Sequence, residues 1–333
     1  MNTTASHPAM IVEGLTVRSP DRTILNDISF QLERNDILGL IGETGSGKSV
    51  LIDALGMNTA PGLEGESRTL SYIDGDQTIR LRDFSQDALQ DKIWGKKIAF
   101  ILSNARSRFN PIMTVGAQFE DILMSNSGMK RNEAVERSIE MFKRVQMPDP
   151  LRNRGNYPHE LSGGMIQRVE IAIALAMSPR FLLMDEPTMG LDVTVQRQTL
   201  DLMDGLFKTL KTTAVLATRD MGIVANYCTK IAVLYHGQIA EFAEIKQFFK
   251  NPQHPYSKYL LDIAFASNNK NIERRKRVTL AHGAENAMKG CFCTDFCENV
   301  GAECMTTRPP VIERERGHSV RCHKVKSKAG SAS

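Results

Sequence analysis

Residues 42–49 read GETGSGKS, preceded by the apolar run ILGLI and followed by VLIDALG, which is the strand, GxxxxGK[ST], helix order that cradles phosphates. Gly42, Gly45 and Gly47 let the backbone curl so that successive N–H groups point inward. Glu43, Thr44, Ser46 and Val50 complete the loop and the first turn of the helix, whose positive end adds to the pull on an anion. Lys48 should reach β and γ oxygens, and Ser49 should hold Mg²⁺ through its hydroxyl. A chance glycine-rich turn would not come with this context on both sides. A second run, FLLMDEP at 181–187, is an apolar strand ending in two carboxylates. Asp185 would orient the Mg²⁺ through Ser49, and Glu186 would polarise an attacking water as general base. Two acids after a strand are usually a solvated strand end; beside the loop at 42–50 they read as a hydrolytic pair.

These residues need a parallel sheet to present them on one edge. ILGLI at 37–41, FLLM at 181–184, TAVLAT at 213–218 and IAVLY at 231–235 are short apolar runs suited to strands buried on both faces. Helical spacing alternates with them, as in Ile166, Val169, Ile173 and Ala176, so the fold class is α/β. The chain has 333 residues, roughly twice the ~150 of a common domain, which predicts one large domain plus an appendage. Boundaries are expected at 1–267 for the main domain, with a helical insert at about 118–165, and at 268–333 for a basic, cysteine-rich extension with a disordered end.

Apolar residues at 41% and charged residues at 24% exclude a disordered or collagen-like chain. No apolar run approaches the ~20 residues of a spanning helix, and no basic-then-apolar leader opens the sequence, so a cytosolic location is expected. The net charge of +4 is too small to argue for nucleic acid. It is uneven, with 13 Lys and Arg against 7 Asp and Glu from Asn268 onward.

LSGGMIQR at 161–168, about twenty residues before the carboxylates, narrows the class. With it the chain resembles the ATP-binding cassette (ABC) proteins, whose signature reads LSGGQ or LSGGM. The resemblance implies a P-loop NTPase fold with a helical subdomain, ATP and Mg²⁺ as ligands, and ATPase activity. It also implies a head-to-tail pair of cassettes in which Leu161, Ser162, Gly163, Gly164 and Met165 close over the partner's ATP. MGLDVT at 189–194 resembles the D-loop, with Asp192 crossing the seam. NPIMTVGAQF at 110–119, YPHELSGGMIQRVEIAIALA at 157–176, HPYSKYLL at 254–261 and GCFCTDFC at 290–297 are similar to the dipeptide, oligopeptide and nickel importer branch. That branch implies an ATPase subunit on the cytoplasmic face of a bacterial inner membrane. Its partners would be a second ABC ATPase subunit, two transmembrane permease subunits and, indirectly, a solute-binding protein, with peptide as first choice of solute. A soluble repair or regulatory cassette is the alternative, although those usually carry tandem cassettes or coiled coils. A P-loop kinase would leave LSGGM unexplained.

Five cysteines, Cys291, Cys293, Cys297, Cys304 and Cys322, crowd into the extension, and Cys228 stands apart. In a reducing compartment such crowding points to metal before disulfide. The branch's tail implies a [4Fe-4S] cluster on Cys291, Cys297, Cys304 and Cys322, with Cys293 as an extra thiol; zinc and no metal stay open, and the CxxC pairs usual for zinc are missing.

Three elements depart from the family. Ser103 falls where the Q-loop glutamine belongs and is too short to carry its amide. Arg219, in ATRD, replaces the switch histidine; it keeps a positive charge and cannot shuttle a proton. Residues 17–24 offer no aromatic to stack on adenine. The expectation is a degenerate ATP site of low activity in a subunit that lends an intact signature to a partner.

Overall fold

The computed structural model describes residues 8–265, 290–294 and 297–327. Its strands are β1 (Pro8–Arg18), β2 (Thr23–Glu33), β3 (Ile37–Ile41), β4 (Glu64–Glu66), β5 (Thr69–Asp74), β6 (Gln77–Arg80), β7 (Ile98–Ile101), β8 (Phe181–Asp185), β9 (Thr213–Thr218), β10 (Lys230–Tyr235), β11 (Gln238–Glu244), β12 (Val311–Glu315) and β13 (His318–Arg321). The helices are α1 (Lys48–Leu55), α2 (Gln86–Lys92), α3 (Val115–Ser127), α4 (Arg131–Arg144), α5 (Pro150–Arg154), α6 (Gly163–Leu175), α7 (Val193–Leu210), α8 (Met221–Tyr227), α9 (Ile245–Lys250), α10 (Pro255–Phe265) and α11 (Ala302–Thr306).

The larger sheet runs β12-β13-β11-β10-β3-β9-β8-β7, with β10, β3, β9, β8 and β7 parallel. All five residues of β3 and all six of β9 are buried, as unbroken apolar runs in a covered parallel sheet must be. The four apolar runs anticipated as strands are therefore β3, β8, β9 and β10. A smaller antiparallel sheet, β2-β1-β5-β6 with β4 on β1, packs over α1 through Met10, Leu15, Leu25, Leu51, Ile52 and Leu55. This sheet is an addition to the anticipated architecture.

The helices α3 to α6 gather around Phe119, Phe142, Val145 and Ile166, all buried, with the Phe119 and Phe142 rings 5.6 Å apart. Each starts where the sequence supplies a stop to the strand-like backbone. Thr114 caps α3 and Ser162 caps α6 through side-chain oxygens, a contribution of about 1 kcal/mol apiece. The extension's hairpin, β12 and β13, extends the main sheet at β11, where Glu241 pairs with Val320. Residues 268–289 of the extension lie outside the described residues, as do 328–333 of the end, 324–333, anticipated as disordered. Among the described residues no helix is long and apolar enough to cross a membrane.

Candidate functional site

The carboxyl ends of β3, β8 and β9 open onto one edge, and the anticipated phosphate loop, carboxylates and Arg219 meet there. The loop leaves β3 at Gly42. A Cβ on Gly42 would stand 2.3 Å from the Leu234 carbonyl, so the chain clears β10 only as glycine. Gly45 and Gly47 take φ of 84° and 103°, closing the curl onto α1. Lys48 is buried, and its Nζ donates to the carbonyls of Gly42 (2.7 Å) and Glu43 (3.0 Å). Burial pulls its pKa down, against the opposing attraction of Glu186. Ser46 is also buried, packed under Gly42, while Thr44 and Ser49 face outward.

Ser49 hydrogen-bonds Asp185, whose pKa is raised by burial and by the charge of Glu186. Asp53, one helical turn below Ser49, is pushed up to about 6 by burial and then by Asp185. A hydroxyl beside crowded, partly desolvated carboxylates is the donor set a hard divalent cation prefers, so Ser49 and Asp185 fit Mg²⁺. Asp53 was missed from sequence. Its signal was available in the i, i+4 spacing from Ser49.

Glu186 sits at φ 45°, and its N–H donates to the Ala217 carbonyl at 2.9 Å, fixing the strand-to-loop corner. Its carboxylate is held by Arg219 at both oxygens, Nε to Oε1 at 2.9 Å and Nη2 to Oε2 at 3.0 Å. The third nitrogen, Nη1, donates to Thr44 Oγ1 at 3.3 Å. The hydrogen bond and charge of Glu186 raise the Arg219 pKa, so the guanidinium is a fixed cation bridging carboxylate and phosphate loop. Ser103 lies two residues past Ile101, which pairs with Met184, and so reaches the same edge as Asp185.

The signature segment is built apart from this edge. Leu161 is buried, Ser162 is exposed, and Ser162 Oγ accepts the Met165 N–H at 3.2 Å, so the serine is the N-cap of α6 with Gly163 and Gly164 at the free helix start. Gly164 is close against α7: a Cβ there would lie 2.5 Å from Val195 Cγ1. Asp192 is exposed and caps α7 by accepting the Val195 N–H at 3.0 Å. Signature and D-loop thus form one unit, rimmed by exposed Met189 and Val193.

A family model described as ABC transporter matches residues 25–189, and one described as the oligopeptide/dipeptide transporter C-terminal region matches 240–304. The chain is 34% identical over 334 residues to a putative peptide import ATP-binding protein of Brucella abortus, covering 95% of this chain and 96% of that one. To the oligopeptide transport ATP-binding protein OppD of Haemophilus influenzae it is 36% identical over 306 residues, covering 90% and 92%.

The chain belongs to the ABC transporter ATPases. Among solved structures this ABC ATPase shares its fold with the cassette MJ0796 in a dimeric post-hydrolysis state bound to ADP and Pi (TM-score 0.60, 24% identity, 71% of this chain and 98% of that one). It also shares it with CbiO1 of Clostridium perfringens (TM-score 0.62, 22% identity, 78% and 96%).

In this ABC ATPase the extension's Cys291, Cys293, Cys297, Cys304 and Cys322 line one small cavity with His254 and His323. Cys291 is pulled down to about 6 by a hydrogen bond from Cys293, while burial drives Cys293 well above the usual thiol value. Among the described residues no three Cys, His, Asp or Glu side chains are arranged to hold a metal ion, so the [4Fe-4S] expectation on Cys291, Cys297, Cys304 and Cys322 gains no support. Cys293, read from sequence as the surplus thiol, meets the main domain: its Sγ is 3.7 Å from His254 Nε2. The part played by Tyr256 was also missed. The Glu43 N–H of the phosphate loop donates to its hydroxyl at 3.2 Å.

Proposed function

We propose that the chain is the ATP-binding subunit of a bacterial peptide importer, peripheral on the cytoplasmic face of two permease subunits and supplied by a solute-binding protein. Support comes from one observation, the joining of a complete phosphate site to an oligopeptide/dipeptide-type C-terminal region in a chain whose peptide-transport relatives it matches end to end. Lys48 and the loop N–H groups of residues 45–49 would neutralise the β and γ phosphates, and Ser49 with Asp185 would hold Mg²⁺, which supplies Lewis-acid charge when bound.

The subunit's own site is the slow member of an asymmetric pair with a second, different cassette. In the described geometry Glu186 has both oxygens engaged by Arg219, leaving it poorly placed to take a proton from water, and Ser103 cannot extend an amide to the cation. Ser162, Gly163, Gly164 and Asp192 stand exposed or half-buried at helix starts, suited to complement the γ-phosphate bound by the partner.

Uptake of a labelled peptide tests this reading in cells lacking the chromosomal copy. Restoration by the wild-type chain, and failure with Lys48→Ala, is expected, together with copurification of two permeases and a second cassette. Unchanged peptide uptake without the chain, or a chain that copurifies with no membrane protein, overturns it.

A further inference from the structure

We infer that Tyr256 is a positioning residue of the nucleotide site and that segment 291–293 of the extension holds it in place, so that events in the cysteine cavity and Mg·ATP binding are thermodynamically linked. The link rests on ATP binding at the phosphate loop and not on the identity of the cargo.

The Glu43 peptide is gripped from both sides. Its carbonyl accepts from Lys48 Nζ at 3.0 Å and its N–H donates to Tyr256 Oη at 3.2 Å. When Lys48 turns to the phosphates it gives up that carbonyl, and the hydroxyl of Tyr256 is then what keeps the peptide in register. Tyr256 itself is fully buried, its ring 4.2 Å from that of Tyr235 and 6.2 Å from that of Tyr259.

Two contacts carry the extension's position to this loop. In the first, the Tyr256 N–H donates to His254 Nδ1 at 3.1 Å, which leaves Nε2 as the protonated nitrogen, facing Cys293 Sγ at 3.7 Å. The backbone N–H of His254 donates to Glu241 Oε2 (2.8 Å), and Glu241 Oε1 accepts from His318 on β13 (2.8 Å), so the backbone at His254 is tied through Glu241 to both main sheet and extension. In the second, Phe292 stacks on His236 with centroids 5.6 Å apart. His236 and Gly237 form the β10–β11 turn at positive φ, and the Gly237 N–H donates to the Ser46 carbonyl at 3.0 Å. A Cβ on Gly237 would lie 1.9 Å from the Ile24 carbonyl, so that turn cannot slide without pushing β2. Phe292 and Cys293 are adjacent residues. A group taken up by the neighbouring thiols displaces both, and close-packed side chains pass the displacement to the backbone at Glu43 and Ser46. The ligand class is a thiol-directed electrophile, met at Cys291, whose thiol the hydrogen bond from Cys293 makes more acidic than usual.

The test uses the full chain and N-ethylmaleimide, with modification of each cysteine followed by mass spectrometry and Mg·ATP affinity by calorimetry. Alkylation at Cys291 should weaken Mg·ATP binding by at least about five-fold, and saturating Mg·ATP should in turn slow that alkylation, because the two sites are coupled. Cys293→Ala, which removes the contact with His254 without any reagent, should shift affinity in the same direction. Tyr256→Phe keeps the ring packing, so its melting temperature should match the wild type, while its affinity falls and responds to alkylation only in part, through the Phe292 route. Equal affinity before and after alkylation overturns the inference. A Tyr256→Phe protein that still responds fully to alkylation removes Tyr256 from the path and overturns it as stated. Loss of peptide import in cells leaves both measurements intact, so the two readings fail separately.

Discussion

Arg219 and Glu186 are joined by two parallel hydrogen bonds, 2.9 and 3.0 Å, that engage both oxygens of the carboxylate proposed above as the base. The guanidinium side chain is 54% exposed, so the pair adds little to stability. Its consequence is chemical. A carboxylate held at both oxygens by a permanent cation is poorly oriented to take a proton from water, whereas an imidazole in the same place could release it.

Arg219→His should therefore increase ATP hydrolysis at this subunit's own site, measured in the assembled complex with the partner's catalytic glutamate disabled. General-base catalysis is worth ~10²–10⁴, and recovery of about ten-fold is expected because Ser103 still lacks an amide's reach. Arg219→His with Ser103→Gln should exceed either single change. No gain in either protein would place the limit elsewhere and remove the ion pair as the brake.

The opposite asymmetry applies to the signature. Ser162→Arg should stop most of the complex's ATPase by filling the space owed to the partner's γ-phosphate, and Glu186→Gln should cost much less. Ser162 also caps α6, so Ser162→Ala is the control: it should lose about 1 kcal/mol of stability and little of the activity lost in the arginine variant. Reversed severities for Ser162→Arg and Glu186→Gln would assign the slow site to the wrong subunit.

What could be read ahead of the structure was whatever a short window encodes. The run 37–49 carries its strand, curl and helix within thirteen residues, and FLLMDEP carries its own strand edge, so the site's members followed from local chemistry. The replacements at positions 103 and 219 were read from the family resemblance, by setting this sequence against the family's usual wording. Their arrangement was not visible: that Arg219 turns toward Glu186 and Thr44 depends on the β8–β9 register, which pairs Asp185 with Ala217. In the small sheet β1 and β2 mix exposed and buried positions and their pairing shifts register, for instance between Val12 and Leu15, which blurs the alternation a strand should show. The tie from Tyr256 to Glu43 spans 213 residues and has no local signature.

The fit between Gly164 and Val195 gives a packing prediction that is independent of nucleotide. Gly164→Ala puts a methyl where only 2.5 Å separates it from Val195 Cγ1, so α6 must retreat from α7 and carry the signature and D-loop apart. A loss of about 1–3 kcal/mol is expected from chemical denaturation. Adding Val195→Ala should return most of it. If the double variant is no more stable than Gly164→Ala alone, the two helices are not held by this contact.

The last prediction concerns acid sensitivity at the joint between domain and extension. Burial lowers the pKa of His254 from 6.5 to about 4, with Glu241 pulling the other way. A depressed histidine is stabilising while neutral: its contribution is whole above pH 6.5 and drains away as pH falls toward 4, because the unfolded chain takes up the proton first. The two values set an upper limit on the order of 3 kcal/mol for that loss. Burial pushes Glu241 up, yet the hydrogen bonds from His318 and the backbone N–H groups of Gln253 and His254 outweigh it and leave the carboxyl below its usual value, so it too loses stabilising power on acidification. His254→Asn keeps an acceptor for the Tyr256 N–H in an Asx-type turn and cannot titrate. Denaturation between pH 7.5 and 4 should show the wild type losing stability from about pH 6.5 downward and the variant, weaker at neutral pH through lost packing, holding its own until Glu241 begins to take up protons near pH 4.5. Equal slopes would mean that His254 titrates alike in the folded and unfolded chain, and that water reaches it at the joint.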